Sequence, residues 1–489
     1  MSARIVETVT GATTEELRLK RDAAGVRADI VELRIDGVQG LDLPALLADR
    51  AMPVIVTCRP VWEGGAFDGT EPDRLRLLRR ARALGAEFID VEFRADWRSV
   101  AAFDRAEPSN TRTTATEPPN RRTPAEGIVL SFHDFTGIPA DLETIAAGMA
   151  DAGADVVKIA VAPASLTDCA RLAHVGRSLR TGAVIGMGVK GIVTRVAPHL
   201  FNARWTYAGG LASLGQVTSS ELRRRYGVGR VTDAAAIYGV AGNPIAHSYS
   251  PALHNAAFRQ EGIDAVYVPL EAVDFADFVS FAAAFDLRGA GVTAPFKRDA
   301  LAAAASADGA AQATDAANTL RRVGAGWVAA NTDVTGFLAP LADLAMAGLS
   351  TAVIGRGGAA RAVSQALTAA GARVTSIGRD EMDRASEPWD LLVNATPVGT
   401  APESAESVMA GRPIRASRVY DLVYNPRETR LLRDAAAAGA ATIGGLPMLV
   451  AQACRQFEFW FDRPAPVEAY QAAAERLYSH ETDDIRRVR

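Results

Sequence analysis

Eight short β-rich runs, each followed by a helical pattern, recur through the first 210 residues: Ile5–Val9, Ile30–Leu33, Val54–Thr57, Phe88–Val91, Ile128–Phe132, Val156–Ile159, Val184–Met187 and Trp205–Tyr207. Strands joined through helices pair in parallel, and eight such units close into a (β/α)8 barrel. The chain is therefore expected to be α/β, with a TIM barrel over residues 1–228. Glu107–Gly127, rich in Pro, Thr and Arg, lacks apolar periodicity and reads as a disordered surface insertion, since strands continue on both sides. After the charged stretch Arg223–Ala236 the pattern restarts with the strand Ala236–Val240. Two further α/β units are predicted, at 235–337 and 338–489. The second opens with Thr351–Ile354 and a glycine-rich, Rossmann-type turn, and Val450–Trp460 is predicted to form a helix that packs back.

Composition excludes several classes of function. The net charge of −4 over 489 residues gives no basic field for nucleic acid, so an anionic substrate must be captured locally. Cys58, Cys169 and Cys454 are far apart, with neither a disulfide framework nor a zinc pattern, which fits a reducing compartment and no metal. No apolar run reaches the ~18 residues of a membrane span. The first strand begins almost at Met1, leaving no room for a signal or transit peptide, so a cytoplasmic location is expected. Nothing in the sequence sets an oligomeric state.

Of 53 basic residues only four are lysine: Lys20, Lys158, Lys190 and Lys297. An amine can lose its proton and attack a carbonyl, which a guanidinium effectively cannot. Lys20 and Lys190 need no such reason. Lys158 lies inside the apolar strand Val156–Ile159, and barrel active sites sit at the C-terminal strand ends. Other polar residues gather at that end. Glu32 and Arg34 alternate on strand two, Arg59 ends strand three with Glu63 beyond it, His133 follows strand five and Arg195 follows strand seven. One such charge would be an ordinary salt bridge; seven at one end point to a site. Lys158 is expected to be desolvated, with nearby arginines lowering its pKa further. His133 would shuttle protons with Glu63 orienting it, and the arginines suit a carboxylate. This describes a Schiff-base barrel enzyme, aldolases included.

Several segments sharpen that description: Glu32-Leu33-Arg34-Ile35-Asp36, Thr57-Cys58-Arg59, Glu63-Gly64-Gly65, Asp90-Val91-Glu92, Ser131-Phe132-His133-Asp134-Phe135, Asp155-Val156-Val157-Lys158, Met187-Gly188 and Gly215-Gln216. Together they resemble type I 3-dehydroquinate dehydratase over residues 1–220. The resemblance implies that Lys158 forms the Schiff base with 3-dehydroquinate and His133 moves the protons. It also implies that Arg195 and Gln216 hold the substrate carboxylate, while Glu32, Arg34, Arg59 and Glu63 face the ring hydroxyls and nearby charge. Ala212-Ser213-Leu214 departs from the family's Ser-Ala-Pro before Gly-Gln.

In the second half, Gly355-Arg356-Gly357-Gly358-Ala359-Ala360 follows a strand and opens a helix, the setting in which glycines let a pyrophosphate approach backbone N–H groups. Arg379 follows the next strand where a ribose 2′-phosphate would lie, with Asp380 beside it. Ser248 and Ser250 precede a helix and suit a carboxylate, although Ser250-Pro251 is also an ordinary helix start. Lys297 and Asp333 make a plausible acid–base pair. With Asn394-Ala395-Thr396-Pro397-Val398-Gly399, Asp421-Leu422-Val423-Tyr424-Asn425-Pro426 and Met448-Leu449-Val450-Ala451-Gln452, residues 236–480 resemble shikimate dehydrogenase. That implies a substrate site of Ser248, Ser250, Thr293, Asn318, Tyr424 and Gln452, with Lys297 and Asp333 handling the proton. It further implies an NADP(H) site of Gly355, Arg356, Gly357, Gly358, Ala359, Arg379, Thr396, Leu422 and Gly445. Gly291, Gly378 and Asp380 depart from the family pattern.

The order of the halves resembles the fused dehydratase–dehydrogenase of the shikimate pathway. The product of the first site, 3-dehydroshikimate, would be the substrate of the second. Two rivals remain: a silent regulatory protein that binds pathway intermediates, which should have lost Lys158, His133, Lys297 or Asp333, and a C-terminal quinate dehydrogenase using NAD.

Overall fold

The computed structural model describes residues 3–98, 127–211, 214–245 and 248–487. The predicted insertion at Glu107–Gly127 thus lies outside the described residues up to Gly127, as do Ala212 and Ser213. The chain divides into two compact units, one of Met1–Ala235 with Leu270–Phe285 and one of Ala236–Pro269 with Asp286–Arg489.

In the first unit eight parallel strands form one sheet: β1 (Arg4–Thr10), β2 (Ile30–Arg34), β3 (Val54–Thr57), β4 (Phe88–Glu92), β5 (Gly127–Asp134), β6 (Val156–Val161), β7 (Gly182–Gly186) and β8 (Trp205–Ala208). Their order is β7-β6-β5-β4-β3-β2-β1-β8. The two end strands meet through a bridge between Gly182 and Ala203, and the Arg204 N–H donates to the Gly182 carbonyl at 2.9 Å. The predicted barrel is therefore present.

Its interior explains the site above it. Because side chains alternate along a strand, every second residue faces the axis. At one end these are apolar: Val6, Ile30, Ile55, Phe88, Val129 and Val156 share a buried cluster. Two residues further along each strand stand Thr8, Glu32, Thr57, Asp90, Ser131 and Lys158. The same period-2 pattern thus builds a hydrophobic floor and sets a polar layer on it. One boundary differs from expectation. β5 continues to Asp134, so His133 lies inside the strand, held in register with Ala160 of β6. Arg195 lies in a short helix, Ile192–Val196. The helix Phe275–Ala284 belongs to this unit and supplies Asp277, whose carboxylate accepts the Leu166 and Thr167 N–H groups at 3.0 and 2.7 Å.

The second unit holds two sheets. The six-stranded one contains β9 (Ala236–Gly242), β10 (Ala265–Glu271), β11 (Gly289–Val292), β12 (Ser306–Ala307), β13 (Thr319–Val323) and β14 (Gly326–Ala330), in the order β10-β9-β11-β13-β14-β12. The five-stranded one is parallel: β15 (Ser350–Ile354), β16 (Arg373–Ile377), β17 (Leu391–Asn394), β18 (Arg418–Asp421) and β19 (Ala441–Ile443), ordered β16-β15-β17-β18-β19. The chain switches direction beside β15, and open α/β sheets bind ligands outside the carboxyl ends at such a point. The helix Leu446–Phe461 buries Ala453, Phe457 and Trp460 in one core with Tyr238, Phe258 and Tyr267. Among the described residues no helix is long and apolar enough to cross a membrane.

Candidate active sites

Lys158 projects from β6 into the polar layer and is 4% exposed. Its Nζ lies 2.8 Å from Glu32 Oε1, 3.3 Å from Asp90 Oδ2 and 4.1 Å from the centre of the Tyr207 ring. Arginines were expected around this amine; the charges within its reach are carboxylates, because β2 and β4 present Glu32 and Asp90 at the same height. Glu32 also accepts from the Thr8 and Thr57 hydroxyls, and the Lys158 ammonium beside it holds its carboxyl down at about 2 against the cost of burial. Arg59 turns inward too. Its guanidinium donates to Glu92 at 2.7 Å, to Ser131 at 2.8 Å and to Asp90 at 3.0 Å. Arg74, fully buried, pairs with the other Glu92 oxygen at 2.5 Å.

His133 faces the same layer. One Glu63 oxygen lies 3.0 Å from its Nδ1 and 2.9 Å from its backbone nitrogen. Burial is the main cause that pushes the imidazole well below its ordinary pKa, with Arg59, Lys158 and Arg34 adding to it. Burial likewise pushes Glu63 up to about 7, against the pull of Arg59. Burial, with these cations adding to it, therefore keeps the histidine neutral and able to take a proton. Arg34 forms a two-point pair with Asp36, at 2.8 Å on each side. Arg195 differs from every other cation here. It is 3% exposed, yet among the described residues it donates only to the Tyr207 and Leu214 carbonyls, and burial pushes it down to about 10. A buried cation with no carboxylate partner is a place for a substrate anion. Gln216 is held nearby, its Oε1 accepting the Leu211 N–H at 2.8 Å. Ser131, Asp90, Glu92 and Tyr207 were not singled out as site residues. Their inward parity on the strands was the signal that could have found them.

In the second unit a cavity of about 370 Å³ brings together Ser248, Ser250, Thr293, Lys297 and Asn318 with Asp333, Tyr424 and Gln452. All eight residues predicted for substrate and proton handling line it. Lys297 opens the helix Lys297–Ala302 and Asp333 sits in the first turn of Thr332–Leu338, so the two helix starts bring Nζ within 2.5 Å of Oδ2. Asn318 Nδ2 holds the other Asp333 oxygen at 2.7 Å. The Ser250 N–H donates to Ser248 Oγ at 3.3 Å, fixing the serines at the start of the helix Ser250–Gln260. Gly291 has a steric reason here: a Cβ on it would lie 2.7 Å from Tyr267 Oη. Gln456, one helical turn beyond Gln452, also lines the cavity and was missed by sequence reasoning.

Ala359, Leu422 and Gly445 line the same cavity, which joins the glycine turn to the acid–base pair. The residues suit a dinucleotide. Gly355 takes φ +122° against the Ala395 carbonyl, and a Cβ on Gly357 would meet nothing within 4 Å. The helix Gly358–Ala369 has no side-chain cap, so its first N–H groups are open to an anion. Thr396 is fixed at the end of β17, its hydroxyl donating to Asn394 Oδ1 at 2.7 Å. Gly378 is explained by Arg356, whose guanidinium lies where a 378 side chain would begin, 2.5 Å from the Cβ position. Arg356 pairs with Glu381 at 2.7 Å. Arg379 is exposed at the end of β16.

Comparison with known proteins gives three family models along the chain. One described as type I 3-dehydroquinase matches residues 5–233, one described as shikimate dehydrogenase substrate binding domain matches 240–320, and one described as shikimate 5′-dehydrogenase C-terminal domain matches 445–475. The chain is 30% identical over 493 residues to the chloroplastic bifunctional 3-dehydroquinate dehydratase/shikimate dehydrogenase of Arabidopsis thaliana, spanning 91% of this chain and 79% of that protein. It is 40% identical over 260 residues to the shikimate dehydrogenase (NADP(+)) of Halobacterium salinarum, over 48% of this chain and 97% of that one. Among solved structures it is similar to the shikimate 5-dehydrogenase of Thermus thermophilus in complex with NADP(H) and shikimate, at 32% identity and a TM-score of 0.45, covering 49% of this chain and 99% of that one.

Proposed function

The chain belongs to the bifunctional 3-dehydroquinate dehydratase/shikimate dehydrogenase family, and from that premise we propose how its residues divide the two reactions. It is a lyase followed by an oxidoreductase. We draw its domains at 1–228 for the barrel, 235–337 for the second substrate site and 338–489 for the nucleotide-binding part with the returning helix.

In the barrel, Glu32 and Asp90 hold the Lys158 side chain in place until the ketone of 3-dehydroquinate arrives. The amine then attacks it and, with loss of water, becomes an iminium. His133, whose Nδ1 is tied to Glu63, uses Nε2 to remove the proton beside the iminium carbon. It returns one to the departing hydroxyl. Water then hydrolyses the iminium and frees 3-dehydroshikimate. Arg195 takes the substrate carboxylate with Gln216, and Glu32, Arg34, Arg59 and Glu63 fix the ring and its charge environment. In the second site Ser248 and Ser250 hold the carboxylate, and Thr293, Asn318, Tyr424 and Gln452 hold the ring. Bound NADPH supplies the hydride that reduces the ketone. Lys297 gives a proton to the resulting oxygen, with Asp333 keeping its side chain aimed. Gly355, Gly357, Gly358 and Ala359 would receive the pyrophosphate, Arg356 and Arg379 would bind at the adenosine ribose, and Thr396, Leu422 and Gly445 would complete the cofactor site. Three free, buried cysteines support a reducing compartment such as the cytoplasm.

One observation carries this assignment: two lysines stand in two different proton environments, Lys158 buried between carboxylates in the barrel and Lys297 on Asp333 in a cavity shared with a glycine turn. The test is to supply 3-dehydroquinate and NADPH and look for shikimate. No turnover by a folded chain would favour the regulatory reading. Accumulation of 3-dehydroshikimate, or reduction only with NADH, would refute the assignment of the second half.

A further inference from the structure

Behind the second site lies a line of buried polar groups of which the proposed chemistry uses only Asn318. His254 and Tyr470 are fully buried, and Gln456 and Asn318 nearly so. His254 sits among aromatic rings, stacked on Tyr267 with centroids 4.4 Å apart and tilted against Trp460 at 4.9 Å. A phenylalanine would fill that space without the desolvation cost of a polar ring. We propose that His254 and Tyr470 are positioning residues for Lys297 and Asp333, acting through the Gln456 amide and Asn318; this rests on the reading of that cavity as the reduction site.

The direction of every bond in the line follows from one group. The main-chain carbonyl of Asn318 can only accept, and it already takes the Val292 N–H at 2.7 Å. Gln456 Nε2, 3.2 Å away, must therefore be its donor, which turns Gln456 Oε1 toward His254 Nε2 at 3.0 Å. That oxygen also only accepts, so the proton of the ring sits on Nε2. Burial pushes His254 down to about 3, so the ring is neutral and Nδ1 is an acceptor for the Tyr470 hydroxyl at 2.8 Å. The carbonyl thus sets the amide orientation, the amide sets the tautomer, and the tautomer takes the Tyr470 proton, so that the line as a whole holds the amide that pins the Asn318 backbone. From there Asn318 Oδ1 accepts the Thr332 N–H at 2.8 Å while Nδ2 donates to Asp333 Oδ1 at 2.7 Å, leaving Oδ2 for Lys297. A flipped Gln456 would set two carbonyl oxygens against each other. The line therefore fixes the orientation in which the Asp333 carboxylate meets the lysine.

The test uses the full chain with His254→Phe, His254→Gln and Tyr470→Phe. Reduction of 3-dehydroshikimate is read alongside dehydration in the same preparation, as an internal control of folding and concentration. His254→Phe is expected to lower kcat for reduction by about tenfold to a hundredfold, the cost of a slightly misplaced acid–base pair, with KM changed by less than about threefold. His254→Gln, whose amide supplies a donor and an acceptor, should recover kcat to within about threefold of the native chain. Tyr470→Phe loses one hydroxyl and should lower kcat by about twofold to tenfold. An unchanged kcat in Tyr470→Phe, a glutamine variant no better than phenylalanine, or a loss carried by KM alone would overturn the proposal. Should His254→Phe fail to fold, the other two variants decide. Nitrogen NMR of the His254 ring in the native chain is a readout independent of turnover: a proton on Nε2 is expected, and one on Nδ1 overturns the relay even if the chain reduces nothing. Failure of the native chain to reduce 3-dehydroshikimate refutes the reading of the cavity instead.

Discussion

The two sites treat charge in opposite ways. In the barrel almost every ionised group is committed to another: Lys158 to Glu32 and Asp90, Arg59 to Asp90 and Glu92, and Arg74 to Glu92, all buried. Among the described cations of that buried layer, Arg195 is the one left with neutral partners. Among the described residues the second site has one ion pair, Lys297–Asp333, partly open to a cavity whose other polar groups are mostly neutral donors. A site that holds its substrate by a covalent bond brings a nucleophile, a base and an anion-binding arginine into one dry space, and their charges must be balanced beforehand. A site for hydride transfer mainly aligns two ligands, and it needs room and one proton source.

That contrast can be tested on each side. His133→Ala should lower kcat for dehydration by about 10²–10⁴-fold and leave reduction of supplied 3-dehydroshikimate unchanged; Asp333→Asn should do the reverse, with a fall of about 10²-fold or more. Separate initial-rate assays on each variant check this, and a shared loss in a folded variant would break the division. Arg59→Met leaves Asp90 and Glu92 short of a partner, so it should destabilise the barrel by roughly 3–5 kcal/mol, whereas Arg427→Met, at the exposed Glu475 pair, should cost less than about 1 kcal/mol. Denaturant melts of both would sharpen the comparison, and equal costs would contradict it. Arg379→Ala should cut the preference for NADPH over NADH by about tenfold to a hundredfold, through a raised KM for NADPH. An equal loss for both cofactors would remove Arg379 as the discriminator. The smallest effect is on pH. Glu63 titrates at about 7 while His133 titrates well below its usual range, so the acid limb of dehydration belongs to the carboxyl. Below that pH Glu63 is protonated and no longer a carboxylate acceptor for His133; above it the rate should level off after rising by at most about tenfold per pH unit. Glu63→Gln should flatten that limb in a pH profile of kcat, and a limb that stays would assign it elsewhere.

Much of this was legible in the sequence because the barrel writes its site in strand parity. Lys158, His133, Glu32 and Arg59 could be placed at one end from position alone, and the glycine turn and the Lys297–Asp333 pair from local pattern. What the sequence withheld are relations across space. It suggested arginine neighbours for Lys158, because charges on separate strands cannot be ranked by distance until register sets Glu32 and Asp90 beside it. It treated Gly378 and Gly291 as departures, whereas each is the space that Arg356 or Tyr267 occupies. It passed over His254, Gln456 and Tyr470, since residues some 200 positions apart share no local signal.

The most direct measurement is made on Lys158→Ala. Given 3-dehydroquinate and NADPH, this variant should oxidise no NADPH; given 3-dehydroshikimate, it should reduce it at the native rate. In the native chain borohydride with 3-dehydroquinate should attach the substrate to Lys158, as located by peptide mass. Loss of both activities in the folded variant, continued consumption of 3-dehydroquinate, or labelling at another lysine would contradict two separate chemistries on one chain.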